Sequence, residues 1–127
     1  MSGTILYIED NPNHARIVKK ILGKHGYQVI VCGDGLQGVA MAARETPNLV
    51  MVDMNLPDMT GEAVISRLRG DRSNLSAIPI VAITASTDSD LRARIIAAGC
   101  DGYLQKPYSI KELIAAVKGY LTATEAV

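Results

Sequence analysis

Apolar residues along this chain follow two alternating rhythms. Short, nearly unbroken runs, TILYI (Thr4 to Ile8), QVIVC, LVMVD, IPIVAIT and GYLQK, are each followed by a longer stretch in which apolar positions recur three and four residues apart. The short runs are rich in β-branched and aliphatic residues and too brief for helices, so they predict strands; the longer stretches predict amphipathic helices. In the first of these, Ile17, Val18, Ile21 and Leu22 fall at helical spacing and predict one buried face. Asn11 is placed to cap that helix, Pro12 to open it and Gly26 to close it. The other helices are predicted over Leu36 to Glu45, EAVISRLR, DSDLRARIIAAG and SIKELIAAVKGYL, the last with a core stripe of Ile110, Leu113, Ile114, Val117 and Leu121.

Five strand-helix units in succession imply a parallel sheet covered on both faces, because each crossover helix must pack back onto the sheet. The expected fold is a doubly wound α/β sandwich. Only the final TATEAV, residues 122–127, reads as a tail. With 127 residues and 48% hydrophobic composition, the chain suits one domain with one core and no staples.

Charge narrows the partners. Lys plus Arg equals Asp plus Glu at 13 each, so no basic excess draws the chain onto nucleic acid or anionic lipid. Proteins or small ligands are the expected partners. The start MSGTILYIED has no charged leader before an apolar segment, and no apolar run approaches the roughly 18 residues that a membrane span needs, so a cytoplasmic location is expected. Cys32 and Cys100 form no CxxC and have no histidine at metal-ligand spacing; they read as buried, reduced residues.

One motif points elsewhere. Gly33, Gly35 and Gly38 spell GxGxxG after a strand and at the start of a helix, with Asp53 further on, as in a dinucleotide-binding site. The strand ends argue for different chemistry. In open α/β sheets ligands bind outside the carboxyl ends of the strands, and there the sequence sets Glu9 and Asp10 after the first strand, Asp53 at the end of the third, Thr84 at the end of the fourth and Lys106 at the end of the fifth.

Three neighbouring carboxylates repel one another unless a hard dication such as Mg²⁺ sits among oxygen ligands. With Lys106 protonated the local formal charge is about −2, which one Mg²⁺ cancels. A phosphoryl group transferred to Asp53 would spread charge over three oxygens, to be met by Mg²⁺, Lys106 and the Thr84 hydroxyl. These are the parts of aspartyl-phosphate formation.

At these residues the chain resembles the response-regulator receiver domains of two-component signalling. The matching segments are YIEDN, VDMNLPDMTG, AITA and GYLQKP, and the resemblance runs from Thr4 to about Leu121. It implies Asp53 as phosphoacceptor, Glu9 and Asp10 as an Mg²⁺ site with the Asn55 carbonyl as a further ligand, and Thr84 and Lys106 on the phosphoryl group. Tyr103 matches the family's switch aromatic, and Asn55 and Ser86 sit where receivers tune water access. The family further implies a flavodoxin-like sheet in the order 2-1-3-4-5, the order that the general rule for such sheets gives for a chemotaxis receiver. It implies a donor that is a sensor histidine kinase or phosphotransfer protein, and a downstream protein target on the face of the fourth helix, fifth strand and fifth helix. A monomer or weak dimer with no attached output domain is expected. EDN and the connection RGDRSNLSAIP resemble both stand-alone differentiation-type and hybrid-kinase receivers.

That strand order bears on the glycines. The reversal lies between the first and third strands, so the glycine loop follows an edge strand away from the crevice, and the acidic rim would repel a dinucleotide's phosphates. It also puts Cys32 and Cys100 at opposite edges, about 19 Å apart at roughly 4.8 Å per strand, too far for a disulfide. Haloacid-dehalogenase-type phosphatases also use an aspartate nucleophile, Mg²⁺ and a lysine. Their second aspartate, two positions on, is replaced here by Asn55, and no cap segment is present to enclose a substrate. His14 and His25 flank the first helix and read as surface residues beside no candidate nucleophile or base, and Met41, Met51, Met54 and Met59 as core filler.

Overall fold

A computed structural model of the chain describes residues 3–70 and 77–125; part of the RGDRSNLSAIP connection, residues 71–76, lies outside the described residues. The elements in order are β1 (Thr4–Ile8), α1 (Pro12–Lys24), β2 (Gln28–Cys32), α2 (Gly35–Glu45), β3 (Leu49–Asp53), α3 (Gly61–Gly70), β4 (Ile80–Thr84), α4 (Ser89–Ala98), β5 (Gly102–Gln105) and α5 (Ile110–Glu125). The sheet is parallel throughout, in the order β2-β1-β3-β4-β5. Ile8 pairs with Val52, Asp53 with Ile83 and Thr84 with Gln105, so the carboxyl ends of the four strands meet on one rim.

Strand alternation divides the core in two. Ile5, Tyr7, Met51 and Ile83 project to one face and pack with Val18 and Leu22 of α1 and Leu113, Val117 and Leu121 of α5. Leu6, Ile8, Val50, Val52 and Ala82 project to the other, against Ala42 of α2, Val64, Ile65 and Leu68 of α3 and Ile95 of α4. β3 and β4 are buried along their whole lengths, which is why their sequences are apolar without alternation. Met51 is in the core and Met41, Met54 and Met59 pack against it, as filler.

Local signals set the helix ends. Asn11 Oδ1 accepts from the N–H groups of Asn13 and His14 at 3.0 and 3.3 Å, and Gly26, at φ +89°, turns the chain out of α1. Two expected core residues lie elsewhere. The buried line of α1 is Ala15, Val18 and Leu22, while Ile17, about 100° around the helix from Val18, is 54% exposed; Ile110, at the start of α5 before its stripe meets the core, is 58% exposed. Helix α5 also runs past Leu121 to Glu125, since no Gly or Pro interrupts it there.

The glycine motif serves packing. A Cβ on Gly38 would collide with Ile8, and one on Gly35 with Met59 and Val64, so these positions bring α2 close to β1 and to the chain around α3. The first N–H groups of α2 are already satisfied: Asp58 accepts from Gly35 and Leu36 at 2.8 and 2.9 Å, and Asp34 from Gln37 at 2.8 Å. The chain's own carboxylates therefore hold the donors that a pyrophosphate would need. Cys32 and Cys100 are buried and free.

Candidate functional site

Glu9 and Asp10 leave β1 beside Asp53, the last residue of β3, because Ile8 is in register with Val52. Carboxylate oxygens of Glu9, Asp10 and Asp53 lie within 4.8 Å of one another. Asp53 is 3% exposed; its Oδ1 accepts from the Asn55 N–H at 2.8 Å and its Oδ2 from Lys106 Nζ at 2.8 Å. Thr84 is buried at the end of β4, and its hydroxyl oxygen accepts from the Ser86 N–H at 3.0 Å. Lys106, just past β5, is tied to that strand end by its own N–H, which donates to the Thr84 carbonyl at 2.8 Å. Asn55, Thr84 and Ser86 line a cavity of about 510 Å³.

Burial and the neighbouring Asp53 push the Glu9 carboxyl up to about 8. Asp53 moves the other way: burial alone would raise it, but contact with Glu9 and hydrogen bonds from Lys106 and Asn55 outweigh that and hold it below the usual carboxylate range. Burial lowers Lys106, yet Asp53 and Glu9 more than compensate and its ammonium is held charged. Asp53 is thus held toward its ionised form and Glu9 toward its protonated one, and positive charge brought beside Glu9 would favour its ionisation. Glu9 Oε2 is also buried without a hydrogen-bond partner. An all-oxygen set with one buried oxygen that has no hydrogen-bond partner fits a hard divalent cation.

Tyr103 pairs with Ala82 across the sheet, and the Arg92 guanidinium of α4 stands 4.6 Å from its ring centroid. It is 39% exposed on the α4 side, apart from the acidic rim. His14 lies at the surface, its side chain 56% exposed, as the sequence implies; its Nδ1 is also 3.3 Å from Oε1 of Glu9, a candidate metal ligand, a proximity that the sequence does not show. The Tyr7 hydroxyl approaches the same oxygen at 3.5 Å. Tyr7 was legible in principle, two residues before Glu9 and therefore on the same strand face. His25 lies at the far end of α1, with Nδ1 3.0 Å from the Ile21 carbonyl.

A parallel sheet in this order with an acidic triad and a lysine on its rim is the architecture of the receiver class. The chain belongs to that family: the model of the response regulator receiver domain matches residues 5–118. It is 31% identical over 121 residues to the polar-differentiation response regulator DivK of Brucella ovis, covering 95% of this chain and 98% of that protein. It is 34% identical over 122 residues to hybrid signal transduction histidine kinase D of Dictyostelium discoideum, covering 96% of this chain and 8% of that one. The chain thus spans nearly all of the first and a small part of the second. Among solved structures, chemotaxis protein CheY4 of Vibrio cholerae superposes with TM-score 0.89 at 26% identity, over 95% of this chain and all of that one. The receiver domain of sensor histidine kinase PA1611 of Pseudomonas aeruginosa, with a magnesium ion coordinated in its active-site cleft, superposes with TM-score 0.87 at 30% identity, over 96% and 99% of the two chains. Among the described residues no helix is long and apolar enough to cross a membrane.

Proposed function

We propose that this chain is a cytoplasmic signalling switch that takes a phosphoryl group from a phosphohistidine onto Asp53 and changes its partner-binding face in response. The observation that carries the proposal is Asp53 itself, a buried carboxylate kept ionised by Lys106 and Asn55 with two further acids within 4.8 Å. An Asp53 oxygen attacks phosphorus as the N–P bond to the donor imidazole breaks; the P–O bond forms, and the departing electron pair stays on the imidazole nitrogen, which takes a proton. The Lys106 ammonium meets one phosphoryl oxygen, and the Thr84 hydroxyl, turning from Ser86, donates to another. Glu9, Asp10, Asp53 and the Asn55 carbonyl would hold Mg²⁺, which when bound neutralises charge developing on the phosphoryl oxygens.

The donor is a sensor histidine kinase or a phosphotransfer protein. The readout face comprises α4, β5 and α5, and includes the half-exposed Tyr103. Intact-mass analysis after incubation with a small phosphodonor and Mg²⁺ tests the core of the proposal. One added phosphoryl group is expected in the wild type and none in Asp53→Asn; equal phosphorylation of both would remove Asp53 from its role.

A further inference from the structure

The two oxygens of Glu9 have unequal surroundings. Oε1 faces the Tyr7 hydroxyl at 3.5 Å and His14 Nδ1 at 3.3 Å, whereas Oε2 is buried with no hydrogen-bond partner. We infer that Tyr7 and His14 are positioning residues that tether Oε1 so that Oε2 alone is offered to the divalent cation, an inference that rests on the metal reading of Glu9, Asp10 and Asp53 proposed above.

A glutamate side chain has one more rotatable bond than an aspartate, so an untethered Glu9 would lose more conformational freedom on binding an ion. The Tyr7 hydroxyl, a donor at 3.5 Å, and the His14 imidazole, an ion-pair contact at 3.3 Å when protonated, remove part of that loss beforehand. Hydrogen-bond partners of this kind generally orient metal-binding carboxylates and tune their affinity.

Each tether is held by a different part of the fold. Tyr7 is 1% exposed within TILYI, an otherwise apolar run apart from the half-buried Thr4, and core packing there would be served as well by a phenyl ring. A buried tyrosine hydroxyl needs a partner, and Glu9, two residues on and on the same strand face, provides one. His14 has a side chain that is 56% exposed, so packing does not fix it. Its backbone is fixed instead, through the 3.3 Å hydrogen bond from its N–H to Asn11 Oδ1 that caps the first turn of α1. The Tyr7 contact is long, and His14 supplies the shorter of the two.

The test is the dissociation constant for Mg²⁺, by calorimetry, in the wild type, Tyr7→Phe, His14→Ala, His14→Gln and His25→Ala, each first shown by circular dichroism and melting to be folded without metal. Tyr7→Phe and His14→Ala are each expected to weaken binding about tenfold, His14→Gln to recover most of the loss because it retains a donor, and His25→Ala to bind like the wild type. Wild-type binding with no change in Tyr7→Phe and His14→Ala would overturn the tether and leave the metal reading intact. Failure of the wild type to bind would overturn the metal reading and the tether with it. Mn²⁺ bound to the wild type serves as the spectroscopic arm: nitrogen coupling in its electron spin-echo spectrum that vanishes in His14→Ala would make His14 a direct ligand and overturn its positioning role.

Discussion

Lys106 Nζ stands 2.8 Å from Asp53 Oδ2, an ammonium resting on the carboxylate whose other oxygen is held by the Asn55 N–H. In the function proposed above, the lysine offsets the Asp53 charge before transfer and would meet a phosphoryl oxygen after it. Removing one such preorganised charge contact typically costs on the order of 10²-fold in rate. Lys106→Ala should therefore slow Asp53 phosphorylation by about that factor, followed as a time course of intact mass, while Mg²⁺ still binds. Phosphorylation of the variant at the wild-type rate would take Lys106 off the phosphoryl group.

The acidic pocket makes stability depend on pH and metal together. Glu9 is raised from 4.5 to about 8 in the folded chain, so the folded state keeps a proton that the unfolded chain releases. That contribution is fully present below about 4.5 and is lost as pH rises to about 8, at no more than about 1.4 kcal/mol per pH unit. Asp53, held below its ordinary value, acts oppositely: its contribution is present above 3.8 and is lost as pH falls through its folded value. The metal-free protein should thus melt at falling temperatures from pH 5 to 8.5. Saturating Mg²⁺ needs Glu9 ionised, so it should flatten the decline and raise the melting temperature more at pH 8.5 than at pH 5.5. Asp10→Ala should abolish the shift. Equal Mg²⁺ shifts at the two pH values would remove Glu9 from the site.

The strands, their order of appearance and the capped start of α1 were legible because buried parallel strands and Asn-Pro helix starts leave local signals, at TILYI, LVMVD and Asn11. The strand order was implied by family resemblance rather than by any spacing. Ile17 and Ile110 were misplaced because helical periodicity locates a stripe without saying which of its edges meets a neighbour. The proximity of His14 to Glu9 was not legible because it arises only once α1 packs against β1. Asp58 was equally hidden: it caps α2 from 23 residues away, a relation that no local window contains.

Glycines in helices should divide by surroundings. A Cβ on Gly23 or Gly119 meets nothing within 4 Å, so Gly23→Ala and Gly119→Ala should each raise stability by about 0.5–1 kcal/mol through helix propensity. Gly38→Ala gains the same propensity but drives its Cβ into Ile8, whose Cγ1 would be 2.7 Å away, and overpacking costs about 1–3 kcal/mol. A net loss of up to about 2 kcal/mol is expected from denaturant unfolding. A stabilised Gly38→Ala would mean that α2 does not need the close approach, and would reopen the question of what the glycine motif is for.

The last prediction concerns how phosphorylation reaches the surface. Thr84 and Tyr103 lie on adjacent strands; we propose, as the receiver family implies, that when the Thr84 hydroxyl leaves the Ser86 N–H for a phosphoryl oxygen the Tyr103 ring turns toward the space it leaves. The ring is held in its present place from outside, by the Arg92 guanidinium 4.6 Å from its centroid, and Arg92 is itself anchored by a 2.7 Å hydrogen bond to Gln105 Oε1. A partly exposed cation–π contact contributes about 0.5–1 kcal/mol, enough to shift a two-state equilibrium by roughly two- to fivefold. Arg92→Ala should accordingly increase the share of molecules with the ring turned in before phosphorylation. Amide chemical shifts of residues 88–120 should then move part of the way, in the unmodified variant, toward their positions with a beryllofluoride phosphoryl mimic. Tyr103→Ala should bind Mg²⁺ and accept phosphate at Asp53 largely as the wild type does, yet show smaller mimic-induced shifts over the same residues. If Tyr103→Ala gives the wild-type shift pattern, the ring is not the coupling element. If Arg92→Ala leaves the unmodified spectrum in place, the guanidinium does not restrain it.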